Sequence, residues 1–125
     1  MKRVYLSGPI TRGNRSWNFY QACEAQRLLL DAGYAVLNPM LSMAHPDGSN
    51  IPWESWIVSD LEFVKVCNIV IRLPGHSRGA DIETQFAHNR GISVVFISGF
   101  DPLGNLVDWI AKNKEPEVLD PCRLT

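Results

Sequence analysis

The sequence has few cysteines, and they are not arranged for metal binding or crosslinking. Cys23, Cys67 and Cys122 are odd in number, widely separated, and form no CxxC pair. Structural zinc sites need closely spaced cysteine and histidine ligands, and disulfide-rich domains need an even set of cysteines. The sequence therefore predicts neither a zinc centre nor a disulfide framework, and it favours a reducing, cytoplasmic setting.

A strong charge of either sign and a long apolar run are also missing. The formal net charge is -1, so no broad basic face is expected and a nucleic acid polymer is not the predicted partner. A free nucleotide remains possible because it needs only a few cations. The apolar run after the charged start Met1-Lys2-Arg3 is too short for a signal peptide, and no segment approaches a membrane span. Neither GxxxxGK[ST] nor GxGxxG occurs, and no cofactor is expected.

What the sequence does contain is an alternation of strand-like and helix-like segments. The 125 residues, 46% of them hydrophobic, are enough for one domain spanning 1–125. Strands are predicted at 4–6, 35–37, 69–73 and 93–97, with an optional fifth at Val118–Leu119. Such alternation predicts an α/β fold with a doubly wound parallel sheet of four or five strands and helices on both faces. We expect a flavodoxin-like or Rossmann-like sheet in the order 2-1-3-4-5.

The predicted helices lie between these strands. The first is expected from a Ser16 cap to about Ala32, with Phe19, Cys23 and Leu30 on its buried face. The last is expected over 106–113, after a turn at 99–102. Residues 39–52 are predicted to form a long loop, and long loops in compact domains are often functional.

Residues 72–91, RLPGHSRGADIETQFAHNRG, join a buried strand through a glycine-rich turn to a helix. Open α/β sheets bind ligands at such places, outside the carboxyl ends of their strands. Glu83 is expected in the first turn of this helix, where the helix dipole favours the ionised carboxylate. It is then either a nucleophile or base, or an ordinary first-turn glutamate, and this stretch alone does not separate the two interpretations.

Asp60 is the second carboxylate of interest. A helix beginning near Pro52 carries an apolar stripe, and Asp60 falls within that stripe. A carboxylate on a buried face is costly unless it is paired or faces a cavity, so a functional role is favoured over a structural hydrogen bond to backbone. The residues of the stripe are Trp53, Trp56, Ile57, Leu61 and Val64.

Two polar loops are expected to meet over one crevice, because the first and third strands would be neighbours. Residues 8–16 carry Arg12 and Arg15, and residues 74–79 carry His76, Ser77 and Arg78. Guanidinium, hydroxyl and backbone N–H donors that converge suit a phosphate, although at least one arginine is expected to be solvated only. Two carboxylates beside a phosphate site suggest glycosyl chemistry, in which one carboxylate attacks or stabilises the anomeric carbon and the other orients the sugar or protonates the leaving group.

Four motifs in this order resemble the nucleoside 2-deoxyribosyltransferase-like superfamily, which includes the 2'-deoxynucleoside 5'-phosphate N-hydrolases. Residues 5–9, YLSGP, resemble the family's YLAGP strand and loop, and residues 12–15, RGNR, are more similar to the phosphate loop of the nucleotide hydrolases. Residues 77–83 resemble the Ser-x-Gly-x-x-x-Glu turn, and residues 91–94 resemble the GKPV-like entry to strand four. The similarity covers roughly residues 4–97.

The resemblance implies roles for the matching residues and a homodimer or larger assembly. It makes Glu83 the nucleophile and Asp60 the acid that contacts the sugar, and it places Ser77 on the 5'-phosphate. Two features depart from the family pattern. Cys67 and Asn68 stand where an acidic residue is usual, and Asp81 either raises the pKa of Glu83 or caps the helix. The implied substrate-binding residues are Tyr5, Gly8, Pro9, Arg12, Arg15, Ser77 and Gly79.

The function implied is cleavage of the N-glycosidic bond of a nucleotide or nucleoside. Hydrolysis of a (deoxy)nucleoside 5'-monophosphate is ranked ahead of base exchange, since the match in the phosphate loop is to hydrolases. A non-catalytic nucleotide sensor is the alternative of a different class, and a structural protein with an unused crevice is a third. The base is expected near residues 39–52, with stacking on Trp17 or Trp53 as one option.

Overall fold

The computed structural model describes residues 1–40 and 50–113, in which four strands alternate with four helices. Residues 41–49 of the loop predicted over 39–52, and the optional strand at Val118–Leu119, fall outside the described residues. The elements are β1 Arg3–Ser7, α1 Arg15–Asp31, β2 Ala35–Leu37, α2 Trp53–Val64, β3 Ile69–Arg72, α3 Arg78–Asn89, β4 Ser93–Phe96 and α4 Pro102–Lys112.

The four described strands form one parallel sheet in the order β2-β1-β3-β4. This confirms the predicted α/β class and its flavodoxin-like strand order. β1 lies beside β3, with Leu6 opposite Ile71 and Ser7 opposite Arg72. After β1 the chain crosses to β2 on one side of the sheet, and after β3 it crosses to β4 on the opposite side. The loops that follow β1 and β3 therefore flank the switch point at which such sheets bind ligands.

The alternation of side chains along the strands divides the core into two layers. Leu6 and Ile71 pack towards α1 and α4, in the cluster that contains Leu29 and Leu106. Tyr5 and Val70 point to the opposite face, where α2 and α3 pack against each other. Residues at odd positions of β1 therefore face α3.

The first helix buries a different face from the predicted one. Asn14, not Ser16, caps α1 by accepting from the Trp17 N–H at 3.0 Å. Phe19 and Leu30 are exposed, so the predicted face is wrong by one residue, a rotation of about 100°. The true face carries small and polar side chains, and its alanines pack in the core beside Val4 and Leu6. Its buried residues are Asn18, Gln21, Ala22, Ala25 and Leu29.

The last helix begins one turn earlier than predicted. The Asp101 carboxylate accepts from the Gly104 N–H at 3.1 Å, and Pro102 follows in the first helical positions. An aspartate cap followed by proline is a helix start rather than a turn. The sequence pattern predicts Leu106, Val107 and Ile110 on the inward face. Leu106 is buried, whereas Val107 is exposed.

Candidate active site

Glu83 is buried between α3 and the carboxyl end of β1, and both of its carboxyl oxygens receive a hydrogen bond. The Tyr5 hydroxyl donates to Oε2 at 2.6 Å, and the Ser7 hydroxyl donates to Oε1 at 2.7 Å. Tyr5 and Ser7 lie two residues apart on β1, so both side chains point to the α3 face. The glutamate is 5% exposed, a low value for a carboxylate.

The position of Glu83 in α3 differs from the prediction. α3 begins at Arg78 and is capped by Ser77, whose hydroxyl accepts from the Ala80 N–H at 3.1 Å. Glu83 therefore lies in the second turn, and the acidic residue of the first turn is Asp81. The predicted helix start, at about Gly79, is within one residue of the observed start, and the error was to assign Glu83 to the first turn. Because the helix dipole acts mainly within the first turn, it does not fix the charge of Glu83.

Burial, rather than the helix dipole, dominates the protonation of Glu83. Removal from water raises its pKa to about 7, and the negative charge of Asp60 adds to the rise, while hydrogen bonds from Tyr5 and Ser7 oppose it. Asp81 is not among the causes. That residue is exposed and pairs with Arg72 at 3.3 Å. A carboxyl with a pKa near neutrality exchanges its proton readily under physiological conditions, as acid–base and nucleophilic groups must.

Asp60 and Tyr5 complete the cluster around Glu83. Burial raises the pKa of Asp60, and hydrogen bonding with Glu83 and Tyr5 acts in the opposite direction. Burial, followed by the charges of Glu83 and Asp60, raises the pKa of Tyr5 above its ordinary value, so its hydroxyl remains a donor. The structure thus brings together the two carboxylates identified from the sequence, one on α2 and one on α3.

Close packing of α2 against α3 makes this approach possible. A Cβ built on Gly79 would lie only 3.1 Å from the Ile57 Cδ1 atom. Glycine at this position therefore lets the start of α3 sit directly against α2, the helix that carries Asp60. Gly79, predicted as a substrate contact, has a packing role here, and its contact with substrate stays a prediction.

The loops that follow β1 and β3 are in contact, as expected. A Cβ on Gly8 would lie 3.1 Å from the Leu73 Cβ, and one on Gly75, whose φ is +116°, would lie 2.8 Å from Pro9. Arg72 holds the second loop from beneath, because its guanidinium donates to the Leu73 and Gly75 carbonyls. The two loops therefore form one rim over the carboxyl ends of β1 and β3.

Of the arginines predicted to contact phosphate, Arg12 and Arg15 lie on this rim, and Arg78 does not. Arg12 and Arg15 are exposed, and within residues 1–40 and 50–113 neither guanidinium takes part in a recorded ion pair. The loop beneath them is fixed, because the Asn18 amide donates to the Arg12 carbonyl at 2.8 Å. Arg78 is different, since its guanidinium stacks 4.7 Å from the centre of the Trp53 ring.

Ser7 is the site residue that sequence reasoning missed. It was considered only as part of the YLSGP segment, yet its hydroxyl contacts Glu83 directly. The available signal was its two-residue spacing from Tyr5, which places both side chains on the same face of a strand. Tyr5 itself is 0% exposed and donates to Glu83, so any direct contact with substrate stays a prediction.

A narrow pocket lies on the opposite face of the sheet, beneath residues 8–10. Its wall includes Gln21, Asn38 and Met40, and the Gln21 side-chain nitrogen has no hydrogen-bond partner among the described residues. The pocket borders Gly8 and Pro9, so it adjoins the rim from the α1 side. It does not contain Glu83 or Asp60.

The described part of the chain contains neither a cluster of metal ligands nor a helix that could span a membrane. Within residues 1–40 and 50–113 no group of three or more histidine, cysteine, aspartate or glutamate side chains is placed to hold a metal ion. Among the helices described, none has both the length and the apolar content needed to cross a bilayer.

Comparison with known proteins places the chain in a family without assigning an activity. A family model described as a domain of unknown function (DUF4406) matches residues 2–96. The match covers more than half of the chain, so the protein belongs to this family. The matched range runs from β1 to β4 and includes Tyr5, Asp60 and Glu83. No curated protein matches the sequence.

Proposed function

We propose that this protein hydrolyses the N-glycosidic bond of a (deoxy)nucleoside 5'-monophosphate, with Glu83 as the nucleophile. The observation that carries the proposal is the Glu83 carboxyl, buried at the ligand-binding edge of the sheet, oriented by two hydroxyl donors and close to a second carboxyl, Asp60. Paired carboxylates of this kind support displacement at an anomeric carbon. The motif resemblance to the nucleotide N-hydrolases supports the same reaction.

The reaction proceeds in two steps. An oxygen of ionised Glu83 forms a bond to the anomeric carbon while the carbon–nitrogen bond breaks and its electron pair leaves with the base. Asp60 either orients a sugar hydroxyl or supplies the proton that the departing base accepts. Water then attacks the anomeric carbon as the bond from that carbon to the Glu83 oxygen breaks, and the proton that the water loses passes to the Asp60 carboxylate or to solvent. This step releases the sugar phosphate and restores the Glu83 carboxylate.

The rim supplies the phosphate contacts in this proposal. Arg12 is an exposed cation on the loop after β1, where the Asn18 amide donates to its carbonyl, and Arg15 is an exposed cation at the first residue of α1. Ser77 caps the N-terminus of α3 on the facing loop. Guanidinium groups and a helix N-terminus both favour a dianionic phosphate. The substrate is therefore a phosphorylated nucleoside, a small molecule rather than a polymer.

Incubation with a panel of nucleosides and 5'-monophosphates, with free base measured by chromatography, tests the proposal. Release of base from monophosphates supports it. Addition of a second free base distinguishes the alternative reaction, because a deoxyribosyltransferase would form a new nucleoside or nucleotide. Binding of a monophosphate without any release of base would identify a nucleotide sensor and refute the hydrolase.

Two broader features belong to the same proposal. The family resemblance implies a homodimer or larger assembly, and exposed aromatic side chains on α1, including Trp17 and Tyr20 with ring centres 5.7 Å apart, support it. Cys23 and Cys67 are both free thiols, which fits the proposed reducing, cytoplasmic setting.

Substitution of Arg12 or Arg15 by glutamine should weaken binding of a 5'-monophosphate more than binding of the matching nucleoside. Loss of one charge-assisted contact to the phosphate costs roughly 1.5–3 kcal/mol of binding free energy. The nucleoside has no phosphate, so its binding should not change. Titration calorimetry with both ligands measures the difference, and Ser77→Ala should behave in the same direction. Arg27→Gln, on the same helix but paired with Glu24 and Asp31, is the matched control. Equal losses for both ligands would show that these residues do not bind phosphate.

The rate of base release should rise with pH through about 7. Burial raises the pKa of Glu83 to about 7, and only the ionised carboxylate can attack the anomeric carbon. Below that pH the free enzyme holds the proton and kcat/KM should fall about tenfold per unit, as for a single titrating group. A pH profile of kcat/KM measures this. A profile that is flat between pH 5 and 8 would exclude Glu83 as a nucleophile with this pKa.

A further inference from the structure

Ser7 is the last residue of β1 and is fully buried. Its hydroxyl lies 2.7 Å from Glu83 Oε1, while the Tyr5 hydroxyl lies 2.6 Å from Oε2. Each carboxyl oxygen therefore has its own donor, and the two donors come from residues two apart on a central strand. The family's YLAGP motif has alanine where this chain has Ser7, so this hydroxyl is not part of the resemblance.

Two hydrogen-bond donors, one on each oxygen, can fix the orientation of a carboxyl group, whereas one donor cannot. The terminal torsion of a glutamate side chain is broad, and a carboxylate held through one oxygen can still rotate. Donors on both oxygens fix the plane of the group relative to β1. We infer that Ser7 is a positioning residue for Glu83, which together with Tyr5 holds the carboxylate in one orientation and favours its ionised form. This inference rests on the proposed role of Glu83 as the nucleophile.

The groups around Glu83 include no cation that stabilises its ionised form. From α2 the facing group is Asp60, whose negative charge, when it is ionised, disfavours ionisation of Glu83. On α3 itself, Asp81 is exposed and pairs with Arg72 from β3. No cation is among the causes that act on Glu83, and the hydrogen bonds that lower its pKa come from Tyr5 and Ser7. Ionised Glu83 is thus stabilised by two hydroxyl groups rather than by an ion pair.

Ser7 also keeps an acceptor when Glu83 loses its charge. The Ala80 carbonyl lies 3.5 Å from the Ser7 hydroxyl, on the same helix as Glu83. When Glu83 is protonated, or is bonded to the sugar, the Ser7 hydroxyl can turn to this carbonyl. The buried Ser7 hydroxyl therefore has an acceptor in both states. A buried hydroxyl without an acceptor would raise the free energy of the reaction intermediate.

Direct titration of Glu83 tests the inference without any need for turnover. Protein labelled with carbon-13 at the glutamate carboxyl is titrated by NMR, and the Glu83 signal is assigned by its absence in Glu83→Gln. Ser7→Ala should raise the midpoint by about one pH unit, the scale of a lost hydrogen bond to a charged group. Ser7→Cys keeps a weaker donor and should give a smaller shift. It also provides the test if the alanine variant fails to fold.

Thr84→Val is the matched control. Thr84 is a buried hydroxyl of α3 that donates to the Ala80 and Asp81 carbonyls, not to Glu83. Its removal should leave the Glu83 midpoint unchanged. A shift in Ser7→Ala no larger than that in Thr84→Val would refute the inference.

Activity supplies a second and separate measurement. If base release is observed, Ser7→Ala should move the acid limb of the kcat/KM profile by the same amount as the NMR midpoint and leave the affinity for the phosphate group unchanged. An unmoved limb would overturn the inference even in an active enzyme. If no substrate releases base, the proposed function fails, while the titration still decides whether Ser7 governs the charge of Glu83.

Discussion

Replacing Glu83 with glutamine should leave the protein folded and lower the rate of base release by at least about a thousandfold, as the loss of a covalent nucleophile requires. An amide has nearly the shape of a carboxyl, and its oxygen can still accept from Tyr5 or Ser7. Its nitrogen cannot attack the anomeric carbon. The measurement is kcat/KM for free base, with folding checked by thermal unfolding.

The melting temperature of Glu83→Gln is a control that separates a loss of catalysis from a loss of folding. A carboxyl whose pKa is raised by folding, here from 4.5 to about 7, stabilises the folded state below pH 4.5 and loses that contribution as pH rises through 7. Glutamine does not titrate, so Glu83→Gln should melt at an equal or higher temperature than the parent at neutral pH. Glu54→Gln, on the exposed side of α2, should change neither property. Near-parental turnover in Glu83→Gln would remove Glu83 from the mechanism.

The sheet and the approach of the two carboxylates were predictable from the sequence for a simple reason. Apolar runs such as 69–71 mark buried parallel strands, and the alternation with helices leaves few possible topologies. Once β1 and β3 are neighbours, the loops after them must meet at one edge. Asp60, an acidic residue within an apolar helical stripe, and Glu83, beyond a glycine-rich turn, were then expected near that edge.

What the sequence did not predict depends on packing between elements. The buried face of α1 places Ala22 and Ala25 in the core, whereas the larger Phe19 and Leu30 are exposed. The charge of Glu83 depends on the depth of its burial, which no local pattern encodes. Helix position alone indicated an ionised group, whereas desolvation raises the pKa of Glu83 to about 7.

The role of Arg72 was also not predicted from the sequence, because it too depends on contacts between elements. As the last residue of a buried strand it carried no functional expectation, yet its guanidinium donates to the Gly75 carbonyl at 2.8 Å and contacts Asp81. A charged side chain that is 8% exposed needs such partners. Its hydrogen bonds shape the loop that carries Ser77, so the rim depends on a residue of β3 that lies next to it.

Asp60 is the residue whose substitution best separates an enzyme from an α/β domain with an unused crevice. Asp60→Asn should keep or raise the melting temperature and lower turnover by more than about a hundredfold, the scale of a lost acid–base group. Burial raises the pKa of Asp60, so its ionised form opposes folding at neutral pH, and asparagine relieves that effect. The removal of its charge should also favour ionisation of Glu83, since Asp60 is one cause of the raised pKa there. The loss of activity therefore cannot be attributed to a more protonated nucleophile.

The structural interpretation of Asp60 predicts the opposite pair of results. A scaffold aspartate that accepts backbone hydrogen bonds would leave unmatched donors when changed to asparagine, and stability would fall by about 1–3 kcal/mol with turnover per folded molecule preserved. Asp108→Asn, on the exposed side of α4, controls for the loss of one negative charge. Thermal unfolding and base release measured on the same preparations separate the two cases. A lower melting temperature with intact turnover would place Asp60 in the scaffold and leave Glu83 as the only carboxylate in the mechanism.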